Sequence, residues 1–359
     1  MIDDLSAYVI AGRVRAQASD EFETAARTPA QGIEDAVEAE RIGFHRIFLS
    51  ERWNLKEAGA LLGGAGARTS RIGLATGVLT AAARHPLHAA ALGSTMQAAY
   101  GPRFVLGLGR GDDAQLRSFG LRAASFEVIL DYVDILRRLW RGETVSYDGP
   151  AGSYPRLAMG DLHDGPDPQV WFGTFGLPRG AEVAARAFDG VLLIPNMTPE
   201  ATRASVTRIR GACERIGRDP QSIRIAQCVV TAPELDEVET RQLAHARAVT
   251  YLQWPGYGEA LVRLNGWDAG VIDRLNNHEQ LRRSEMLADG FHRADLLGPA
   301  ALIPDQWMQD SCAIGSVSEC VASLRRFRDA GADEIVTYGS TPGQNAGLAR
   351  AWAAQGVAV

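Results

Sequence analysis

The stretch from Arg71 to Asp113 constrains the fold more than any other part of the chain. Two short apolar runs, Ile72–Leu79 and Phe104–Leu108, are typical of buried strands. Ala89–Ala99 lies between them and is rich in Ala, Leu, Met and Gln, which favours a helix. Strand, helix and strand with short connections form one βαβ unit of a parallel sheet. The carboxyl ends of such strands are where parallel α/β proteins place their functional sites.

Six further apolar segments have the same character and are predicted to be strands of the same sheet. They are Ala7–Gly12, Phe44–Ser50, Pro168–Thr174, Gly190–Ile194, Ile223–Thr231 and Glu334–Tyr338. Helical patterns separate most of them, among them Gly120–Leu139, whose apolar residues recur at helical spacing. Eight strands that mostly alternate with helices predict an α/β fold, a closed (β/α)8 TIM barrel.

Two segments depart from the alternating pattern. Arg141–Leu157 is rich in turn residues and predicts a small hairpin or a lid over the barrel mouth. From about 234 to 310 the strand signals vanish, which predicts an α-helical insertion or small helical subdomain between strands seven and eight. One α/β barrel can absorb 359 residues, so we expect a single domain over 1–359.

Composition excludes several classes of function. The net charge of −6 argues against a nucleic-acid partner, because a phosphate-binding surface normally carries a basic excess. No apolar run approaches the roughly 20 residues that span a bilayer, and the first residues lack a signal-peptide pattern. We therefore expect a cytoplasmic protein with no membrane partner. The cysteines have no CxxC spacing and no His/Cys cluster is present, so we expect no metal site.

Unusual chemistry follows the predicted strands. Glu51 and Arg52 come directly after the second strand and could orient a planar ligand, although charged residues are also common in solvated loops. Thr76–Thr80 is either a tight bend or a backbone segment that lies beneath a flat ring such as a flavin. Arg13 and Arg15 follow the first strand and are either surface charges or contacts to an anion.

Two glycine-rich turns could bind phosphate. Backbone amides in Gly107–Asp113 can approach a phosphate closely, and Phe175–Gly180 leads into a helix start, where amides and the helix dipole favour anions. Asp112 is either a proton donor or the cap of the following helix. Among the histidines, His85 is the best placed to reach a site at the strand ends, because it follows the third strand.

Several motifs together resemble the luciferase-like monooxygenase superfamily, and within it the coenzyme F420-dependent (deazaflavin) oxidoreductases. The strings that carry the resemblance are GFHRIFLSER, TSRIGLATGVLTAAARHPLHAA, GPRFVLGLGRG, WFGTFGLPRG and AGADEIVTYG. The resemblance implies a barrel of the bacterial luciferase type whose carboxyl-terminal mouth holds the deazaflavin. It also implies hydride transfer at the ring and a homodimer.

The resemblance also assigns roles to individual positions. It implies a non-proline cis peptide bond at Gly77–Val78 behind the ring and a polar contact from Thr80. It implies an acidic catalytic group at Asp112. Cofactor contacts are implied for Arg110, Gly111 and Gln115, and a phosphate turn for Phe175, Gly176, Pro178 and Arg179.

One motif departs from the family pattern. The second strand of the family often ends in Ser-Asp-His, with the histidine acting at the ring, whereas this chain has Ser50, Glu51 and Arg52. Arg52 cannot act as a general base because a guanidinium group stays protonated. It could instead stabilise negative charge on a reduced ring or on a substrate. The expected catalytic group is therefore Glu51, Arg52, His85 and Asp112.

Three functions remain open at this point. The first is hydride transfer between F420 and an unidentified small organic molecule. The second keeps the fold but uses FMN and oxygen, as a monooxygenase does. The third is a barrel that binds flavin or deazaflavin without catalysis. A metal-dependent hydrolase is disfavoured because ligand clusters are missing.

Overall fold

The structure is a computed structural model that describes residues 1–10, 28–51, 56–282 and 290–356. Its strands, in chain order, are β1 Leu5–Tyr8, β2 Arg46–Leu49, β3 Gly73–Thr76, β4 Leu79–Thr80, β5 Phe104–Gly109, β6 Val145–Gly149, β7 Gly152–Leu157, β8 Gln169–Thr174, β9 Gly190–Leu193, β10 Arg224–Pro233, β11 Cys312–Gly315 and β12 Glu334–Gly339.

The α-helices of the described residues, in chain order, are α1 Pro29–Ile42, α2 Ala58–Arg68, α3 Pro86–Tyr100, α4 Asp113–Ser118, α5 Phe126–Trp140, α6 Pro178–Ala187, α7 Pro199–Arg215, α8 Glu237–Leu243, α9 His245–Leu252, α10 Tyr257–Asn265, α11 Gly270–Asn277, α12 Glu279–Arg282, α13 Leu297–Ala300, α14 Asp305–Ser311, α15 Val317–Asp329 and α16 Ala346–Gly356. Within these residues, no helix combines the length and apolar character needed to cross a bilayer.

Eight parallel strands close into a barrel, as the sequence predicts. The ring runs β1, β2, β3, β5, β8, β9, β10 and β12, and β12 pairs with β1 to complete it. At one closing pair, Arg224 of β10 lies opposite Gly190 of β9. The predicted (β/α)8 fold is confirmed, and the predicted hairpin exists as the antiparallel pair β6–β7.

The barrel interior is filled by side chains from every strand of the ring. Its buried cluster contains Tyr8, Phe48, Ala75, Val105, Trp171, Leu192, Ala226, Cys228 and Val336. A second, larger cluster fills the layer between the strands and the surrounding helices. Because the interior is packed rather than open, a ligand can only bind above it, at the end of the barrel.

Some element boundaries differ from the predictions. The predicted strand Ile72–Leu79 is split into β3 and β4, since Gly77 and Val78 leave the strand path. The first strand begins at Leu5 rather than Ala7, and residues 11 and 12 lie outside the described part of the chain. Helix α5 begins at Phe126 and not at Gly120, because the Ser125 side chain caps it by accepting a hydrogen bond from the Val128 amide.

The segment between β10 and β12 is largely helical. Helices α8 to α14 occupy its described residues before the chain returns as β11, a four-residue strand that the sequence analysis did not predict. Strand β11 pairs with the end of β10, from Val230 to Pro233, outside the closed ring. The assignment of 1–359 to one domain stays a prediction.

Candidate active site

A cavity of about 460 Å³ opens at the carboxyl-terminal end of the barrel. It brings together most of the residues that the sequence analysis selected from distant parts of the chain. The predicted residues that line it are Glu51, Gly77, Val78, Thr80, Arg110, Gly111, Asp112, Gln115 and Phe175. The expectation that these turns meet around one ligand-sized space therefore agrees with the geometry.

Val78 projects from a break in the strand. The peptide bond between Gly77 and Val78 is cis, as predicted. The strands β5 and β8 carry glycines where they pass the Val78 side chain. A Cβ atom at Gly109 would lie 2.7 Å from one Val78 methyl, and a Cβ at Gly173 would lie 2.9 Å from the other. These glycines therefore make the room in which the Val78 side chain sits.

Glu51 is held at the cavity wall by an arginine from the loop after β4. Its side chain is only 3% exposed and forms an ion pair with Arg84. The same guanidinium also pairs with Glu57, which is 51% exposed and caps α2 through the amides of Gly59 and Ala60. Because Arg84 also binds Glu57, the Glu51 carboxylate is fixed in position beside the cavity.

The turn after β5 positions two further groups. Asp112 caps α4 by accepting a hydrogen bond of 2.8 Å from the Gln115 amide, and it also lines the cavity. Arg110 donates from Nε to the Ala124 carbonyl at 2.6 Å, and its guanidinium lies 4.3 Å from the centre of the Phe126 ring. Both side chains are therefore held in place without a ligand.

Gly111 is required by the backbone of this turn. Its φ is +78°, and a Cβ atom there would lie 2.5 Å from the Leu116 side chain and 2.7 Å from the Thr80 methyl. A residue with a side chain would be strained in φ and would also collide with its neighbours.

The turn after β8 leads into the first turn of α6 at the cavity edge. Gly176 has φ +67°, and its amide donates to the Thr174 hydroxyl at 3.2 Å. Leu177 occupies the N-cap position and Pro178 begins the helix, so no side chain caps the first amides. Leu177 and Gly180 line the cavity. Uncapped amides at a helix start can bind an anionic group.

Three of the residues predicted to form the phosphate turn do not line the cavity. They are Gly176, Pro178 and Arg179. The Arg179 side chain is 70% exposed and pairs with Glu127, because it points out along the helix surface. Any contribution of Arg179 to an anion site would therefore come from its backbone amide and not from its charge.

His85 does not face the cavity. It is exposed and caps α3, where Nδ1 accepts a hydrogen bond from the Leu87 amide. Its ring packs edge-on against Tyr154 of the β6–β7 hairpin, with 4.9 Å between ring centres. Partial burial and the neighbouring His88 lower the pKa of His85, which suits a neutral acceptor. His85 is therefore not among the residues that line the cavity, and its predicted catalytic role stays a prediction.

Three predicted cations cannot be placed. Arg52, Arg13 and Arg15 lie outside the described residues. Within the described ranges, no group of three or more His, Cys, Asp or Glu side chains is arranged to hold a metal ion.

The helical insertion forms a wall that sequence reasoning missed. Arg247, Thr250, Tyr251 and Trp254 recur at the spacing of one helix face and line the cavity with Tyr257. Tyr257 packs edge-on against Phe175, with ring centres 4.9 Å apart. Trp254 borders the cavity beyond the end of α9. The periodicity of AHARAVTYLQW was the signal that could have revealed this face.

Tyrosines from the barrel form the floor beneath this wall. The rings of Tyr8 and Tyr338 meet edge-on with centres 4.8 Å apart, and the hydroxyls of Tyr251 and Tyr338 lie 3.3 Å apart. Burial, and then the neighbouring Tyr338, raises the pKa of Tyr8 and of Tyr251 well above the ordinary value. The hydroxyls of Tyr8 and Tyr251 therefore stay neutral and can donate hydrogen bonds.

Residues 8–334 match the sequence family described as luciferase-like monooxygenase. An F420-dependent glucose-6-phosphate dehydrogenase from Nakamurella multipartita is 31% identical over 206 residues, which cover 53% of this chain and 60% of the relative. The chain thus matches less than two thirds of that relative's length.

Two further proteins match over most of their length. A 5,10-methylenetetrahydromethanopterin reductase from Methanolobus tindarius is 24% identical over 315 residues, covering 86% of this chain and 89% of the relative. The solved structure of a coenzyme F420-dependent tetrahydromethanopterin reductase from Methanopyrus kandleri superposes with a TM-score of 0.74. It is 18% identical and covers 96% of this chain and 97% of that one. This likeness establishes the barrel fold.

Proposed function

Because the chain belongs to the luciferase-like monooxygenase family, which it matches over residues 8–334, we propose that it is an oxidoreductase that uses the deazaflavin coenzyme F420. The family predicted from the sequence motifs is confirmed. The relatives named as F420-dependent support the choice of cofactor. A small organic molecule is the substrate. The homodimer and the cytoplasmic location stay predictions.

One observation carries the proposal: Val78, the turn after β5 and the turn after β8 converge on one cavity. The cavity offers a flat ring an apolar surface at Val78 and Phe172, and it offers a phosphate the uncapped first turn of α6. Two donors in its wall, Arg247 Nε and Trp254 Nε1, are shielded from solvent and have no hydrogen-bond partner among the described residues. Polar atoms left in this state favour a substrate that binds beside the cofactor and supplies acceptors.

The residues fit the cofactor in distinct roles. Val78 and Thr80 would support the ring, Gln115 and Gly111 would contact it from the turn after β5, and the Gly180 amide would face the phosphate. When bound, the deazaflavin supplies a carbon that accepts or donates a hydride. Glu51, fixed by Arg84, and Asp112 are the carboxylates that border this space and can hold or move a substrate proton.

Cofactor titration tests the proposal directly. Purified protein is titrated with F420 and, separately, with FMN, and binding is followed by the fluorescence of each cofactor. We expect F420 to bind and FMN to bind at least tenfold more weakly. Tight FMN binding without F420 binding would favour the oxygen-using monooxygenase and would refute the proposal.

A turnover experiment distinguishes the proposed enzyme from a barrel that binds the cofactor without catalysis. Reduced F420 is mixed with a broad panel of carbonyl and alkene acceptors in a stopped-flow instrument, and oxidised F420 is mixed with alcohols. We expect at least one acceptor or donor to give an absorbance change that occurs only when the protein is present. If F420 binds but no panel member reacts, the non-catalytic binder is the better description.

A further inference from the structure

Arg247 lines the cavity and forms no ion pair with a carboxylate of the described residues. Its guanidinium lies 5.1 Å from the centre of the Tyr338 ring, and its Nε is shielded from solvent without a hydrogen-bond partner among the described residues. By contrast, Arg84 beside the cavity is paired with two glutamates, and Arg110 in the cavity wall is bonded to the Ala124 carbonyl. A partly buried cation without a partner is costly, and a bound anion removes that cost.

The groups next to Arg247 are neutral hydrogen-bond donors. Tyr251 lies one helical turn further along α9, and its hydroxyl is 3.3 Å from that of Tyr338. Trp254 lies two residues beyond the end of α9 and contributes an indole N–H that has no partner among the described residues. Cys228, on the floor, is also neutral because burial raises the pKa of its thiol. The corner therefore combines one fixed positive charge with several neutral polar groups.

This corner adjoins the space assigned to the cofactor ring. A Cβ atom on Gly77 would lie only 2.8 Å from the Tyr8 hydroxyl, so Tyr8 borders the backbone on which the ring is expected to rest. Tyr8 in turn packs against Tyr338, over which Arg247 lies. A molecule anchored at Arg247 would therefore have its remaining atoms beside the ring.

We propose that Arg247 is a substrate-binding residue and that the substrate is a monocarboxylic acid with an otherwise apolar body. This inference rests on the proposed function. A planar guanidinium matches a carboxylate with two parallel hydrogen bonds. A phosphate dianion would leave one negative charge uncompensated, since Arg110, the other basic residue among the described residues that line the cavity, is bonded to the Ala124 carbonyl and stacks on Phe126. Leu192 and Trp254 supply apolar contact for the body of the acid.

The test measures ligand binding to the F420-loaded protein by isothermal titration calorimetry, with benzoate, its neutral counterpart benzamide, and inorganic phosphate as probes. The variants are Arg247→Gln and Arg247→Lys. Arg263→Gln is the matched control, because Arg263 is exposed on α10 in the same insertion and does not line the cavity. F420 affinity is measured for every variant.

We expect the wild type to bind benzoate at least tenfold more tightly than benzamide or phosphate. Arg247→Gln should lose at least tenfold in benzoate affinity and Arg247→Lys less, while Arg263→Gln matches the wild type. F420 affinity should stay within twofold throughout. Benzoate binding that survives Arg247→Gln, a preference for phosphate, or no binding of any probe overturns the inference. So does an equal loss of F420 and benzoate affinity. Failure of the wild type to bind F420 would instead refute the proposed function.

Discussion

The Thr76 side chain replaces the backbone hydrogen bonds that β3 would otherwise make to Gly107 of β5. Its Oγ1 donates to the Gly107 carbonyl at 2.8 Å and accepts from the Gly107 amide at 2.8 Å. Strand pairing ends at Ala75 and resumes when Leu79 of β4 lies opposite Leu108. A Cβ atom at Gly107 would lie 2.0 Å from the Thr76 carbonyl oxygen, so glycine permits this close approach. The Thr76 hydroxyl thus maintains the link between β3 and β5 where Gly77 and Val78 leave the strand path.

Replacing Thr76 by valine should therefore destabilise the barrel. The Thr76→Val variant keeps the shape but leaves a buried donor and a buried acceptor of Gly107 unpaired, which costs about 1–3 kcal/mol. Urea unfolding measures the change in the free energy of unfolding. Thr76→Ser, which keeps the hydroxyl, should recover most of the loss. Equal stability of the serine and valine variants would show that the hydroxyl is not the stabilising group.

An alanine at Gly173 should disturb the cofactor surface. Its Cβ would lie 2.9 Å and 3.2 Å from the two Val78 methyls, and the branched valine cannot rotate away easily. Val78 must then shift toward the cavity, and we expect F420 affinity, measured by titration, to fall at least tenfold. Overpacking of this kind costs about 1–3 kcal/mol of stability.

Gly63 on α2 is the matched control for this substitution. A Cβ atom there meets nothing within 4 Å. Gly63→Ala should leave F420 affinity unchanged and raise the free energy of unfolding by about 0.5–1 kcal/mol, because alanine is the better helix residue. If Gly173→Ala binds F420 like the wild type, Val78 does not set the shape of the binding surface.

The strand ends could be predicted from the sequence because their signals are local. Apolar runs such as Phe104–Leu108 mark buried strands, and glycine-rich turns such as Gly107–Asp113 follow them directly. In a parallel barrel these ends must meet at one rim, so the topology alone brings Val78, Asp112 and Phe175 together.

The position of the insertion wall against the barrel could not be predicted in the same way, although its helical periodicity could. Arg247 and Tyr251 reach the cavity through packing of α9 against the barrel, and no local pattern specifies which barrel residues a helix face will meet. Strand β11 was missed because it has only four residues and exists by pairing with the extended end of β10. The position of His85 could not be predicted either, because a histidine before a proline can cap a helix as well as face a ligand.

Glu51 and Glu57 share one arginine, and this allows their roles to be separated. Glu51 lines the cavity and is 3% exposed, whereas Glu57 does not line it and is 51% exposed. We expect Glu51→Gln to lower the rate of hydride transfer in single-turnover stopped-flow measurements by about 10²-fold, as loss of a proton-transfer group does. F420 affinity should change less than threefold.

Glu57→Gln is the control for this comparison. It weakens the same contact to Arg84 without altering the cavity wall, so its hydride-transfer rate should stay within twofold of the wild type. Equal rate losses in the two variants would mean that the ion pair with Arg84, and not the Glu51 carboxylate itself, is what the reaction requires.

Glu334 should stabilise the opposite end of the barrel in a pH-dependent way. Its fully buried carboxylate accepts hydrogen bonds from Ser6 at 2.5 Å and from Arg224 Nε at 2.6 Å, and lies 3.7 Å from Arg46 Nε. Burial alone would raise the pKa of Glu334, but the two arginines and the Ser6 hydroxyl outweigh it and lower the pKa. Glu334→Gln leaves Arg46 buried above Trp171 without a counter-charge, which should cost about 3–5 kcal/mol at pH 7 by urea unfolding.

The direction of the pH effect follows from the lowered pKa. A carboxylate whose pKa is lower in the folded state stabilises the protein above its unfolded pKa, near about 4.3, and loses this contribution as the pH falls through the folded pKa. The stability gap between wild type and Glu334→Gln should therefore narrow below about pH 4.3. Glu38→Gln, which breaks an exposed pair with Arg41, should cost less than about 1 kcal/mol. A gap that stays constant down to acid unfolding would contradict the assignment of a charged Glu334.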